Sequence, residues 1–403
     1  MMDFIDLDNP VSPVPALISL LTALLTAAVL QQRFGVAAAQ GRYSSIDGLR
    51  GFLAFMVFLH HAVIWFFYLR SAKWELPPSN LFIYFGQGSV GFFFMITGFL
   101  FFSKLLDGRR KPVDWFKLFV SRIFRLVPMY LFSVFLLLVI VVYASDGILK
   151  EPLIVLVNNI INWVVFTIQD APDLNGVKNT YVVVAGVFWS LPYEWLFYLC
   201  LPILSIILMR FPPMPYLVLS LFCLAVFLYV GSIEFEILMP FGGGILAAFL
   251  VRSKMFCEYA TNKLASCLVI GCVAAAVAFY DSAWTIEAVV LLSTAFVFIA
   301  CGNTLFGILV HPVSRVLGEM AYSVYLLHGM ILFVLFNYVI GRQVAAEFSA
   351  LTHWLWIIGI TPLVVVLSFT TFQLIESPGM RVAPAASAWL RAKAQRLNGG
   401  VTR

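Results

Sequence analysis

The sequence predicts an all-α, polytopic transmembrane helical bundle of about ten core spans plus one extra N-terminal span, and three observations carry that prediction. Charged residues make up 11% of the 403 and hydrophobic residues 62%, whereas a soluble domain carries roughly 25% charged residues. Mean hydropathy is +0.98. Apolar stretches long enough to cross a hydrocarbon core of about 30 Å recur along the whole chain. So few charges could not coat several soluble domains. Disorder is excluded as well, because it requires low hydrophobicity and high charge.

Windows of about 20 residues give eleven candidate spans. The first, 14–31, follows Asp3, Asp6 and Asp8; a cleavable signal would open on basic residues, so this stretch reads as a retained span. Spans follow at 48–69 and 80–103. Residues 112–126 open with Pro112 and mix aromatics with Lys117, Arg122 and Arg125. That pattern predicts an amphipathic helix on the cytoplasmic face, ended or kinked near Pro128 ahead of a span at 127–145. Residues 151–168 are apolar but interrupted by Asn158, Asn159 and Asn162, which predicts an external, re-entrant segment. The remaining windows are 188–209, 215–231, 237–251, 264–280, 285–302, 316–340 and 354–375. No internal repeat is evident, which disfavours inverted-repeat transporter folds.

Charge placement orients the bundle. If the linker with Arg33, Arg42 and Arg50 is cytoplasmic and the spans alternate, twenty of the 25 Lys and Arg fall on that side, as the positive-inside rule requires. The expected N-terminus is therefore outside and the C-terminal tail inside. Arg109, Arg110 and Lys111 are expected to fix topology and touch anionic lipid. The six cysteines form no CxxC pair, so buried structural thiols are expected rather than a zinc, redox or disulfide site.

An ionisable group within the bilayer costs about 2.5–3.5 kcal/mol at a helix centre on insertion scales and is a functional candidate by default. Three places stand out: Arg50 with His60 and His61, Glu194, and His328. Arg50 and His61 are eleven residues apart, about 20° beyond three full helical turns and about 16 Å along the axis. They share a face, whereas His60 is rotated about 80° from Arg50. A lone intramembrane histidine is as readily a packed polar side chain as a base, and the shared face with Arg50 favours function. His311 and His353 lie at span ends and are expected to be ordinary interfacial residues.

Five stretches, in order, resemble the acyltransferase 3 family of membrane acyltransferases. Ile46-Asp47-Gly48-Leu49-Arg50-Gly51, ten residues before His61, is similar to its opening signature. Phe93 to Phe99 resembles its FFxxSGF segment, with Thr97 in place of the serine, and Arg122 to Tyr130 resembles its RxxRxxPxY segment. Trp189 to Tyr198 resembles WSLxxExxFY, and Tyr322 to His328 resembles YSxYLxH. Gly91 departs from the acidic or amide residue that many members carry there. The domains expected are 1–42, an extra transmembrane helix and cytoplasmic linker; 43–380, the acyltransferase membrane domain; and 381–403, a basic cytoplasmic tail. The chain ends 27 residues past Glu376, so the hydrolase-like domain fused to some relatives is not expected.

The resemblance implies transfer of an acyl group, usually acetyl, from cytoplasmic acyl-CoA to a hydroxyl of a glycan or other extracytoplasmic acceptor, in a bacterial inner membrane. His61 suits the general base, since histidine titrates closest to neutral pH. Glu194 is expected to orient His61 as a carboxylate does in hydrolytic triads, or else to bond Tyr198 or backbone. Arg50, Arg122 and Arg125 are expected to hold the CoA phosphates, which guanidinium forks match bidentately. Asp47, Trp189, Ser190, Tyr198, Tyr325 and His328 are candidate cavity-lining residues. His328 either lines the donor cavity near the cytoplasmic end or bonds a neighbouring helix. The loop at 169–180, with Gln169, Asp170, Asp173, Asn175 and Lys178, could contact sugars or simply be solvated. Partners are membrane lipid and the acceptor, with no metal and no nucleic acid. The competing class is a proton-coupled transporter or flippase of a glycan-like or small-molecule solute, which would also hold Arg, His and Glu in the membrane.

Overall fold

The computed structural model describes residues 7–34, 43–108, 113–231 and 233–399, with side chains described to residue 393. The predicted all-α bundle forms, and among the described residues there is no strand, only an isolated bridge between Leu174 and Val177. Helix α1 (Pro13–Phe34) precedes α2 (Ser44–Ser71), α3 (Asn80–Asp107), α4 (Trp115–Ala144) and the short α5 (Leu153–Val164). A loop with two 3₁₀ turns, Thr180–Val184 and Val187–Trp189, leads into α6 (Ser190–Ile207), α7 (Met214–Val230), α8 (Phe235–Leu250), α9 (Lys254–Ala260), α10 (Lys263–Phe279) and α11 (Ile286–Ala300). After them come α12 (Pro312–Glu319), α13 (Ala321–Val334), α14 (Arg342–Ala346), α15 (Ala350–Thr371) and α16 (Ser377–Gly399). The π turn Leu335–Val339 extends α13, and a second, Phe372–Glu376, joins α15 to α16.

Among the described residues, seven helices are long and apolar enough to cross a membrane, or eight if α8 and α9, bent by 114°, count as one broken span. The windows at 215–231, 264–280 and 285–302 hold apolar but shorter helices of 17, 17 and 15 residues. Caps mark several starts: Asp114, Asn262, Thr285 and Ser349 each accept a backbone N–H in the first turn of the following helix, the usual remedy for orphan helix donors.

One local expectation is corrected. Of the two alternatives at Pro128, an end or a kink, the end is ruled out: α4 runs through it for 30 residues. Proline strips one helical hydrogen bond and crowds the carbonyl four residues back, that of Phe124. Here α16 lies directly on that carbonyl, so closely that a Cβ at Gly379 would sit 2.6 Å from it, and Tyr322 of α13 donates to the next turn at Leu126 O, 3.2 Å. Packing covers what proline exposes. The segment 151–168 forms the 12-residue α5, which buries only Trp163. It is tied down by the loop that follows: Trp163 donates to Pro172 O at 2.9 Å and Asn159 to Asp173 O at 3.1 Å. Of the cysteines only Cys272 and Cys301 are buried, the other four lying partly or fully on the helix surfaces.

Helices α2 and α3 form the centre of the bundle, packed on each other and on α8, α12 and α13. The crossing of α2 and α12 has no room for a side chain, since a Cβ at Gly318 would lie 1.7 Å from the Asp47 carbonyl. That contact sets the height of Asp47 and Arg50 in the bundle. The first helix buries Ala16, Ala23 and Ala27 against α12 and α15, and a buried Ser19–Thr361 hydroxyl pair at 2.8 Å locks it to α15.

Candidate active site

Two cavities are stacked along α2. Near its start lies one of about 250 Å³, lined by Asp47, Arg50, Thr97, Arg122, Arg125, Glu194 and Tyr198 among others; we call it the arginine cavity. Further along lies one of about 550 Å³, into which His60 and His61 project, the histidine cavity. The shared-face geometry of Arg50 and His61 therefore places one residue in each.

His61 is buried between α13 and the aromatic ring of Trp74, which stacks on it at 6.1 Å. Its Nδ1 lies 2.9 Å from the Val57 carbonyl and 3.1 Å from His328 Nε2. His328, fully buried, in turn has Nδ1 2.9 Å from the Val324 carbonyl. A carbonyl can only accept, so each neutral ring carries its proton on Nδ1. The single His61 Nδ1–H is then shared between the Val57 carbonyl and the lone pair of His328 Nε2, a three-centred bond, and His61 Nε2 is left unprotonated. This is the arrangement of a base, with its tautomer set by the group behind it. The Ala185 carbonyl also faces the His61 ring and would stabilise the imidazolium once a proton is taken. His60 is held by the Phe82 carbonyl at 2.7 Å.

The expected pairing of Glu194 with His61 is not formed. Glu194 opens into the arginine cavity, where its carboxylate accepts from the Tyr198 hydroxyl and, at 3.4 Å, from Thr97. The reason is helical: Tyr198 stands four residues on, one turn along the same face of α6. Arg122 donates to the Tyr198 oxygen and stacks over Phe101 at 4.9 Å. Its Nε is buried without a partner. Arg125 donates to Met380 Sδ at 3.4 Å, and both arginines also line a 170 Å³ recess beside α16 with Lys117 and Ser121. Arg109, Arg110 and Lys111 lie outside the described residues.

Of the other predicted residues, Asp47 lines the arginine cavity and a neighbouring 280 Å³ recess with Lys104, and Trp189 lines the histidine cavity. Ser190 lines the arginine cavity, and Tyr325 lines both cavities. In the loop at 169–180, Gln169 and Asp170 reach the histidine cavity. Asp173 and Asn175 are engaged locally, by Thr180 N and by Ser145 and Ile148. His353 is corrected: it is buried, not interfacial, stacked on Phe336 at 5.1 Å and bonded to Ala62 O at 2.8 Å.

Sequence reasoning passed over Glu376. It ends the π turn at 1% exposure, accepts from Ser323, and faces Arg50 and Arg125 electrostatically. An acid closing the apolar run Phe372-Gln373-Leu374-Ile375 was the available signal. The aromatic wall of the histidine cavity, Tyr193 and Trp284 around Trp189, was likewise unmarked, because such residues are common in any apolar helix bundle. No group of three or more potential metal ligands occurs among the described residues.

A family model described as an acyltransferase domain matches residues 43–373. No curated protein and no solved structure matches the chain.

Proposed function

Because the chain belongs to the acyltransferase 3 family and is an integral membrane acyltransferase, we propose that it moves an acetyl or other acyl group from cytoplasmic acyl-CoA to a hydroxyl of an extracytoplasmic glycan or similar acceptor. The observation that carries this reading is the stacking of a three-arginine cavity against a histidine cavity along one helix. Arg50, Arg122 and Arg125 offer guanidinium forks to the phosphates of CoA. The acceptor enters the roomier histidine cavity, whose aromatic walls and polar Gln87, Gln169 and Asp170 suit the apolar faces and hydroxyl edges of a sugar ring.

In this scheme the acceptor hydroxyl oxygen attacks the thioester carbonyl directly. A new C–O ester bond forms, the C–S bond breaks, and CoA leaves as the thiolate. The hydroxyl proton goes to His61 Nε2, and the imidazolium is stabilised by the Val57 and Ala185 carbonyls and by His328. The thiolate takes up a proton from water and His61 returns the acceptor's proton to water, which restores CoA thiol and neutral base. The inner bacterial membrane, with the arginine cavity cytoplasmic, is the location this reading requires.

The test is transfer of labelled acetyl from acetyl-CoA to surface glycan by the purified protein. His61→Ala should lower the rate by about 10²–10⁴-fold, the usual contribution of a placed base. Normal turnover in that variant would remove His61 from the chemistry. Labelled acyl-enzyme trapped on His61 without acceptor would replace direct attack by a two-step route.

A further inference from the structure

The two cavities touch at one place. Val90 and Tyr325 line both, so the partition there is a single layer of side chains. Tyr325 is 7% exposed and is pinned at its far end. Its hydroxyl donates to the Val187 carbonyl at 2.9 Å, and Ser190 Oγ lies 2.7 Å from the same oxygen. Ser190 Oγ also reaches the Val187 carbonyl, at 3.3 Å, so the two hydroxyls and this carbonyl form a closed three-membered latch. Val187 and Ser190 belong to the turn that opens α6, whereas Tyr325 sits on α13. The turn is preceded by two residues in left-handed conformation, Ala185 (φ 52°) and Gly186 (φ 70°). A left-handed alanine is unfavourable on its own and persists only where tertiary contacts hold it. The Tyr325 contacts are among those that hold this turn.

We propose that Tyr325, latched by Ser190 and Val187, is a removable partition between the donor and acceptor cavities. Closed, it keeps a thioester in the arginine cavity away from water in the histidine cavity. Swung aside, it joins the two spaces and lets the acyl carbon reach His61. The device separates binding of the donor from its use, which protects a reactive thioester from hydrolysis. This inference rests on the acyl-transfer reading for its purpose, but the partition itself is a property of the cavities.

A thiol probe tests it independently of activity. Thr97→Cys places a thiol in the arginine cavity, and the protein is reconstituted in vesicles of known orientation. A membrane-impermeant maleimide is applied to each side in turn, with the parent protein as the background for native cysteines. With the latch intact, the thiol should react from the arginine-cavity side only. Adding Tyr325→Phe, which keeps the ring and removes the hydroxyl, should speed labelling from the histidine side by about tenfold, since one hydrogen bond of typical worth shifts an equilibrium on that order. Ser190→Ala, the milder change, should act in the same direction. Equal labelling from both sides in the latched protein, or unchanged labelling in both variants, would overturn the partition. In proteins without the probe cysteine, acetyl-CoA hydrolysis in the absence of acceptor should rise with Tyr325→Phe. A protein that never turns over acetyl-CoA would sink the proposed function while leaving the labelling result standing.

Discussion

His61 and His328 are 267 residues apart in the chain and 3.1 Å apart in the fold, and their contact makes His328, rather than Glu194, the residue that orients His61 in the proposed mechanism. A carboxylate partner would stabilise an imidazolium by charge; a neutral imidazole partner does so by accepting a hydrogen bond, and leaves the site free of a buried anion. His328→Ala should therefore slow acyl transfer less than His61→Ala, by about 10–100-fold. It should do so in kcat rather than in KM for acyl-CoA, because it disturbs a proton acceptor and not the donor's binding contacts. Equal KM and kcat effects would count against the orienting role. Arg125→Ala should do the reverse. Losing one charge-assisted contact of about 1.5–3 kcal/mol predicts acyl-CoA affinity lower by roughly tenfold or more, with membrane insertion retained; equilibrium binding of labelled acetyl-CoA measures it. Arg50, His61, Glu194 and His328 were all legible as candidates, since a polar group in an apolar run is visible in one dimension. Glu376 was not, because it closes a span rather than interrupting one.

At the scale of elements, the N-terminal end of α4 and the C-terminal part of α16 are joined by Asp114. Its carboxylate caps α4 through Lys117 N at 3.0 Å and pairs with Arg391. Burial pushes the carboxyl up, but the Lys117 N–H and the Arg391 guanidinium outweigh it and hold it below its ordinary value. A carboxyl so depressed contributes stability above its unfolded-state pKa of about 3.9 and loses it as pH falls through the folded value. Both partners are about half exposed, so the ion pair itself is worth no more than about 1 kcal/mol. Asp114→Asn keeps the cap and removes the pair, and should lower thermal stability in detergent slightly at pH 7. Asp114→Ala loses both, about 1 kcal/mol more. Acidification below the folded-state value of this carboxyl should erase the difference between the parent and Asp114→Asn; a difference that persists once the carboxyl is protonated would exclude the ion pair as its cause. Pro128 shows the limit of reading elements locally. Its chemistry argues for a helix end, and only α16 and α13, far away in sequence, supply the packing that carries α4 through it.

For the whole molecule, the distribution of charge and of space is one arrangement. Arginines line the cavity at one end of α2. The other cavity is walled by histidines, aromatic rings and uncharged amides, with Asp170 and Glu234 toward its rim. In the proposed scheme a donor bearing phosphates and an acceptor bearing hydroxyls are received at opposite ends. Sidedness follows: acetyl-CoA supplied to oriented vesicles on the arginine-cavity side should support transfer, and the same concentration on the histidine side should not. Transfer from either side would refute the directional scheme.

Composition and hydropathy by themselves determined that this chain is an all-α membrane bundle. Five short motifs in order were enough to place it in its family, because span length, apolarity and residue spacing are local properties. Helical periodicity also put Arg50 and His61 on one face. The choice between His61 and Tyr198 as the partner of Glu194, the approach of His328 to His61, and the placing of one tyrosine between two cavities were decided by the tertiary structure. Those outcomes depend on how helices distant in sequence are rotated and how closely they approach, as where Gly318 meets the Asp47 carbonyl. Interhelical packing of this kind follows from the shapes of many side chains at once, which no single stretch of sequence records.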